Sequence, residues 1–238
     1  MSDTANPVKL ASAPLAGAAE FDARLKRTDE DRWLAARYAP DAARELLVAL
    51  YLMDQELRRA LAAREPMLGK IRIQWWRETL EQIAAKGSVR RHDLAEELAR
   101  VTAGRPDLIA PISDLIDRYD DIIDDHLHAG GHQGGGEHEE RHRAAERAAV
   151  RLAGLALDPK ATREQLDLLG ACASEYLAVK ASLPDAEATW NKARRDAHSV
   201  PSSLWPAILH LVAGETASGK APFLKRWRMF WAMSVRRL

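Results

Sequence analysis

The sequence predicts an all-α protein. Between Phe21 and Leu238 the residues of high helix propensity, Ala, Leu, Arg and Glu, dominate, and β-branched residues are scattered. Runs that alternate apolar and polar residues, as a half-buried strand would, are missing. Prolines recur where breaks between helices are needed, since proline lacks an N–H and suits only the first turn of a helix. Together these patterns favour a helical bundle of about nine to ten helices.

Ten helical segments are predicted in order along the chain. They cover residues 29–39, 41–63, 67–86, 92–103, 108–127, 138–156, 162–182, 186–197, 202–213 and 221–236. Pro40, Pro66, Pro106, Pro111, Pro159, Pro184, Pro201 and Pro222 lie at or near the ends of these segments. Residues 29–238 are predicted to form one domain, because 238 residues with 47% hydrophobic side chains can enclose one substantial core. Residues 1–28 are predicted to be a disordered N-terminal tail, because their start is small, Pro-containing and weakly apolar.

Charge and cysteine content limit the classes of function. Lys plus Arg and Asp plus Glu both number 35, so no overall field favours nucleic acid as a partner. Cys172 is the only cysteine, which excludes an internal disulfide and suits a reducing compartment. No stretch reaches the roughly 20 apolar residues that span a bilayer. We therefore expect a cytoplasmic protein, with contact at the inner face of the membrane left open.

The first two long segments carry apolar stripes with helical spacing. Their apolar positions, every three or four residues, are Leu46, Leu50, Met53, Leu57 and Leu61 on the first, and Ile71, Trp75, Trp76 and Ile83 on the second. Asp54 lies at the edge of the first stripe. Arg58 follows Asp54 by four residues, a spacing at which the two side chains can pair on one helix face.

The acidic run "YDDIIDDH", residues 119–126, has two interpretations. Carboxylates at this density can bind Mg²⁺ together with a diphosphate, which makes Asp120, Asp121, Asp124 and Asp125 candidate metal ligands. The alternative is a solvated helix face. Ile112, Leu115, Ile116, Tyr119, Ile122 and Ile123 form an apolar stripe, and at about 100° per residue most of the aspartates fall opposite to it. The spacing therefore favours a solvent-facing acidic patch.

Residues 126–142, "HLHAGGHQGGGEHEERH", contain five of the eight histidines and five glycines. Histidine-rich tracts can bind nickel or zinc. A functional metal site, however, needs ligands in a fixed geometry, which a glycine-rich loop does not provide. We therefore interpret these histidines as surface residues of a flexible loop.

The C-terminal segment is basic and amphipathic. Residues 220–238 contain six basic residues and no acidic one, and one helical face carries Phe223, Trp227, Phe230 and Trp231. Such a helix can lie in the interface of an anionic membrane. It can equally cover the core of its own domain with these aromatic residues, and we expect this second role because most amphipathic helices of soluble domains have it.

Several stretches resemble the squalene/phytoene synthase family. They are "ALYLMDQELRR…EPMLGKIRIQWWRETL", "LIDRYDDIIDD", "AAERAAVRLAGLAL", "LGACASEYLAVKASLP" and "PFLKRWRMFWA", in this order. The resemblance starts at about Asp29 and implies an isoprenoid-synthase-like helical fold. In active members it implies two aspartate motifs on facing helices, which hold Mg²⁺ ions that ionise prenyl diphosphates.

The resemblance places both motifs where this chain lacks the expected carboxylates. The first motif should begin about seven residues after Tyr51, where Arg58 and Arg59 stand. The second should lie within residues 177–181, "LAVKA", where Lys180 is the polar residue. Arginines do not bind Mg²⁺ but can hold a phosphate through forked hydrogen bonds. Tyr51, Asp54, Arg58, Arg59 and Lys180 are therefore candidate ligand-binding residues; alternatively, the two arginines pair with Asp54, Glu56 or other acids nearby.

Three hypotheses about function follow. The first is a non-catalytic protein that resembles relatives acting in assembly of respiratory complex I. It would bind a prenyl diphosphate or other isoprenoid lipid, or respiratory complex subunits, near a membrane. The second is an active head-to-head prenyltransferase with altered metal ligands, which would use Mg²⁺. The third is a soluble helical interaction domain.

Overall fold

A computed structural model describes residues 16–128, 136–214 and 222–235. These residues form eleven α-helices and no strand. The helices are α1 (Ala16–Thr28), α2 (Glu30–Ala36), α3 (Asp41–Leu61), α4 (Pro66–Ala84), α5 (Asp93–Thr102), α6 (Ile109–His128), α7 (Gly136–Leu157), α8 (Arg163–Lys180), α9 (Ala186–Asp196), α10 (Leu209–Gly214) and α11 (Pro222–Val235). Short 3-10 helices cover Pro106–Leu108, Ala197–Ser199 and Ser202–Ala207. The prediction of an all-α fold is confirmed.

The predicted segments all have counterparts, and local residues explain their ends. Asp29 caps α2 by accepting a hydrogen bond from the Arg32 N–H at 3.0 Å. Thr162 and Gln165 form a capping box at the start of α8. The predicted 202–213 segment divides into a 3-10 helix and α10, because Pro206 inside it cannot donate a helical hydrogen bond.

The helix α1 corrects the predicted tail. Residues 16–28 were assigned to the disordered N-terminal tail, but they form a helix that packs on α2 and α3. Phe21 and Leu25 on this helix are buried in the core. Their two positions, four residues apart, are enough to anchor one helix face. Residues 1–15 of the predicted tail lie outside the described residues.

The core is built around α3. This helix contacts α1, α2, α4, α5, α6 and α7, while α7 also packs along α8 and α6. Thirteen of the residues of α3 are buried, including Leu46, Leu50, Met53 and Leu57 of the predicted stripe. The predicted stripe of α6, from Ile112 to Ile123, is buried as well. No helix of the described ranges combines the length and apolarity required to cross a membrane.

The predicted inner face of α4 is partly wrong. Ile71 is 61% exposed, whereas Ile73 and Trp76 are buried. Gly69 determines this orientation, because a Cβ at that position would lie 2.6 Å from the carbonyl oxygen of Ala60 and 3.0 Å from Cδ1 of Ile123. The close approach turns the Gly69 and Ile73 side of α4 toward α3 and α6, and the Ile71 side toward solvent.

Candidate functional site

A cluster of buried charges joins α2, α3, α6 and α7. Arg32 of α2 donates to Asp54 of α3, and its Nη2 donates to Oε1 of Glu146 on α7 at 2.8 Å. Arg58 of α3 donates through Nε to Oδ2 of Asp54 at 2.8 Å and through Nη2 to Glu146. The two carboxylates are thus each shared by the same two guanidinium groups.

A tyrosine completes the cluster, and a histidine and a second tyrosine lie next to it. The Tyr119 hydroxyl donates to Oδ1 of Asp54 at 2.7 Å. Nε2 of His210, on α10, lies 3.5 Å from Oε1 of Glu146. The Arg32 guanidinium lies 5.2 Å from the centre of the Tyr51 ring, within the range of a cation–π contact. We call Arg32, Asp54, Arg58, Tyr119 and Glu146 the ion cluster.

Charge pairing determines the protonation states in the ion cluster. Burial alone would raise the pKa of Asp54, but the guanidinium groups of Arg58 and Arg32 outweigh burial and lower it. For the same reason the pKa of Glu146 lies well below its usual range. Burial, together with the negative charge of Asp54, raises the pKa of Tyr119 well above that of a free tyrosine. Both carboxylates are therefore ionised and neutralised by arginines at neutral pH.

The predicted ligand-binding residues lie in different settings. Asp54 is buried, while the side chains of Arg58 and Arg59 are 44% and 48% exposed. Arg59 pairs with Glu56 at 2.6 Å, so both arginines form the pairs that the sequence analysis gave as the alternative. Lys180 is exposed at the end of α8, with Nζ 5.3 Å from the centre of the Tyr176 ring.

Three buried polar side chains close to the ion cluster have no hydrogen-bond partner among the described residues. They are the Tyr51 hydroxyl and the Gln55 amide, one turn apart on α3, and the His210 ring on α10. Burial raises the pKa of Tyr51 above its ordinary value, so its hydroxyl stays protonated and can donate. Because an unsatisfied buried polar group costs about 1–3 kcal/mol, such positions are where a water molecule or a polar ligand group would bind.

The acidic run on α6 pairs with α4. Lys70 lies 2.5 Å from Asp120 and 2.7 Å from Asp124, and Arg77 contacts Asp117 at 2.7 Å and Asp120 at 3.2 Å. Asp121 is exposed, and Asp125 faces His138 on α7. The aspartates lie away from the apolar stripe, as predicted. Several of them form ion pairs with Lys70 and Arg77, which join α6 to α4.

The aromatic residues of α11 lie outside the core. Trp227, Phe230 and Trp231 are 54%, 54% and 55% exposed. Met229 and Ala232 are buried instead, and Lys225 pairs with Asp31 of α2 at 2.8 Å. The expectation that these aromatic residues cover the core is therefore wrong for Trp227, Phe230 and Trp231. Phe223 is the second residue of α11, and its side chain lies outside the described residues.

Sequence reasoning missed Arg32, Glu146 and His210 as members or neighbours of the ion cluster. The sequence did indicate that Glu146 is unusual. It precedes Ala149 by three residues and Val150 by four, so it lies on the same buried face of α7, which otherwise carries small apolar residues. A charge at such a position needs a partner of opposite sign. Arg32 gave no such signal, because its helix has only seven residues.

The comparisons with known proteins agree with the resemblance seen in the sequence. The family model for squalene/phytoene synthase matches residues 25–129. No curated protein and no solved structure matches the chain. The matched segment runs from α1 through α6 and includes Arg32, Asp54, Arg58 and Tyr119 of the ion cluster. Residues 25–129, somewhat less than half of the chain, are thus similar to the squalene/phytoene synthase family.

Proposed function

We propose that the protein is a non-catalytic squalene/phytoene synthase-like factor that acts by binding at a membrane surface. The observation that carries this proposal is the pairing of Arg58 with both Asp54 and Glu146. A prenyl diphosphate ionises only when its developing negative charge is neutralised, which active members of the family achieve with Mg²⁺. In this chain an arginine stands where the first metal-binding carboxylate is expected.

The residues around the ion cluster do not fit a Mg²⁺ ion. Mg²⁺ requires near-octahedral oxygen ligands and retains several waters. The oxygens of Asp54 and Glu146 already accept hydrogen bonds from Arg32 and Arg58. A cation placed there would meet two fixed positive charges and would have to displace both guanidinium groups. No chemical step through a metal is therefore assigned to this site.

An anionic ligand suits the same region better than a metal does. Arg58 and Arg59 are about half exposed, so each can donate to a phosphate from N–H groups that their carboxylate partners do not use. Glu56 and Glu146 limit this attraction, since they already neutralise part of the charge. We propose a prenyl diphosphate or another isoprenoid lipid with an anionic head group as the ligand.

The interior restricts where a prenyl chain could lie. The apolar cavity lined by Met53, Trp76, Leu80, Leu98 and Ile112 has a volume of about 10 Å³. A volume of this size holds about one water molecule. This cavity is too small for a prenyl chain, so we assign the chain to the membrane or to the protein surface, where the described residues line open pockets of about 340, 450 and 490 Å³. We assign the head group to the exposed arginines.

The outer face of α11 supports the membrane part of the proposal. Trp227, Phe230 and Trp231 are exposed beside the basic residues Lys225 and Arg226. Aromatic side chains next to cations are typical of helices that lie in the interface of an anionic membrane. We propose peripheral binding at the inner face of the membrane, from the cytoplasm, with subunits of a respiratory complex as candidate protein partners on the basis of the family resemblance.

Binding of farnesyl diphosphate in the presence and absence of Mg²⁺ tests this proposal. We expect the affinity, measured by the fluorescence of the tryptophans or by thermal shift, to be the same with Mg²⁺ and with a chelator. Arg58→Gln together with Arg59→Gln should weaken binding about tenfold or more, because each lost charge-assisted hydrogen bond contributes about 1.5–3 kcal/mol before screening. Arg64→Gln with Arg72→Gln is a control for the loss of two charges. Binding that requires Mg²⁺ would contradict the proposal.

A further inference from the structure

Three histidines converge where α6 and α7 meet. His126 lies on α6, and His138 and His142 lie four residues apart on one face of α7. One ring nitrogen of each histidine lies within 4.8 Å of the corresponding nitrogens of the other two. The rings of His126 and His138 are 5.0 Å apart, and those of His138 and His142 are 4.6 Å apart. All three side chains are half-buried.

Their position differs from the one expected from the sequence. The sequence predicts a loop without fixed geometry for the histidine-rich tract, but these three histidines lie on helices. His132 lies outside the described residues, as does the side chain of His128. The helices hold the three rings at a defined spacing, which is the condition that the loop interpretation lacked.

An acidic residue orients one of the rings. Oδ2 of Asp125 lies 3.2 Å from Nδ1 of His138, and Arg141 lies 3.6 Å from the other oxygen of Asp125. A carboxylate on one ring nitrogen fixes the tautomer and leaves Nε2 available to a cation, as in many zinc sites.

We propose that His126, His138 and His142 form a binding site for a divalent late transition-metal ion, with Zn²⁺ as the best fit. Imidazole nitrogens suit Zn²⁺, Cu²⁺ and Ni²⁺, whereas Mg²⁺ and Ca²⁺ prefer oxygen ligands. Zn²⁺ binds histidine nitrogens at about 2.0–2.1 Å, which places tetrahedral ligands about 3.4 Å apart. Metal binding would therefore draw the three nitrogens, which lie within 4.8 Å of one another, closer together. The fourth position is taken by water or by an added ligand.

The metal ties α6 to α7 beside the ion cluster. His142 lies one helical turn before Glu146, so a metal on His142 restrains the part of α7 that holds Glu146 against Arg32 and Arg58. This role is independent of the proposed lipid binding. It requires no chemistry and predicts a gain in stability, since a ligand that binds only the folded state stabilises it.

Zinc competition with the untagged full-length chain tests the site. The metal-free protein is titrated with Zn²⁺ against a chromophoric chelator, and Co²⁺ replaces Zn²⁺ for visible spectroscopy. We expect one equivalent to bind, the Co²⁺ form to show the intense bands of four-coordinate cobalt, and the melting temperature to rise with Zn²⁺. The weak spectrum of six-coordinate cobalt would overturn the proposal. Because this spectrum is measured on the unchanged protein, the test holds even if individual variants fail to fold.

Variants locate the metal. His126→Ala, His138→Ala and His142→Ala should each weaken Zn²⁺ binding at least about tenfold, and Asp125→Asn by about tenfold through the lost orientation of His138. The control, with His128→Ala and His132→Ala together, should bind as tightly as the unchanged protein. Binding that survives His142→Ala, or that is lost in the loop control alone, would show adventitious binding to the histidine-rich loop and would overturn the site.

Discussion

Nη2 of Arg32 lies 2.8 Å from Oε1 of Glu146, and this contact joins α2 to α7 across 114 residues of sequence. The same guanidinium pairs with Asp54 of α3. Three helices therefore meet at one buried cation. Because an unpaired buried charge costs far more than a paired one, the ion cluster specifies how these helices are arranged.

Loss of Arg32 should destabilise the fold severely. Arg32→Met leaves Asp54 and Glu146 buried with only Arg58 as a cation, so we expect the free energy of unfolding to fall by about 3–5 kcal/mol. Arg58→Met should cost less, about 1–2 kcal/mol, because the Arg58 side chain is 44% exposed and solvent screens its charge. Urea denaturation of both variants measures the difference. Equal losses would show that burial of the cation does not determine the cost.

The ion cluster should make stability depend on pH in the acid range. The pKa values of Asp54 and Glu146 are lowered by folding, so both carboxylates bind fewer protons in the folded chain than in the unfolded chain. Their contribution is complete above the ordinary carboxyl pKa of about 4 and is lost as the pH falls toward the lower folded values. Glu146→Gln should therefore be less stable at pH 7 and lose less stability on acidification.

Urea denaturation at several pH values between about 7 and 3 checks this. Glu187→Gln, at an exposed position on α9, removes the same charge from the surface. This control should follow the pH dependence of the unchanged protein. If Glu146→Gln follows it too, Glu146 is not the source of the acid sensitivity.

Gly69 should tolerate no side chain. In Gly69→Ala the new methyl group meets the backbone oxygen of Ala60 at 2.6 Å, and a backbone atom cannot rotate away. We expect a loss of about 1–3 kcal/mol in the free energy of unfolding, the usual cost of overpacking. Gly104→Ala is the control, since a Cβ there meets nothing within 4 Å. A Gly69→Ala protein as stable as this control would contradict the close packing of α4 on α3.

The exposed aromatic residues of α11 should mediate membrane binding. Trp227→Ser, Phe230→Ser and Trp231→Ser in one chain remove the apolar contacts and leave the buried Met229 in place. We expect the flotation of this variant with anionic vesicles to fall about tenfold or more. Flotation of the unchanged protein should weaken in high salt.

A second exposed apolar patch provides the control for vesicle binding. Met67→Ser, Leu68→Ser and Ile71→Ser alter side chains on α4 that are 60%, 47% and 61% exposed. This variant should float normally. If the α4 variant loses flotation and the α11 variant keeps it, the membrane contact lies on α4 and the proposal for α11 is wrong.

Much of the fold follows from local patterns in the sequence. Prolines and apolar spacing located the helices from residue 29 onward, and the spacing of four residues correctly paired Asp54 with Arg58. These features depend on neighbours along one helix. The inner face of α4 did not follow, because Ile71 and Ile73 differ only in their relation to Gly69 and the helix that packs on it.

The candidate site was less predictable, because its partners are distant in sequence. The Arg32–Glu146 contact and the approach of His126 to His138 depend on how helices pack across the domain. The spacing of residues along the sequence shows which residues share one helix face, but not which face of another helix packs against it. The histidines illustrate this: their glycine-rich surroundings suggested a loop, whereas helices α6 and α7 bring three of them together.

We propose that the ion cluster takes the place of metal-dependent chemistry in this protein. The most direct measurement is release of diphosphate from farnesyl diphosphate and geranylgeranyl diphosphate by the purified protein with Mg²⁺, together with chromatography of the lipid products. We predict no release above the rate without protein and no head-to-head product. Release that depends on Mg²⁺, stops with a chelator and is lost in Asp54→Asn would contradict the claim.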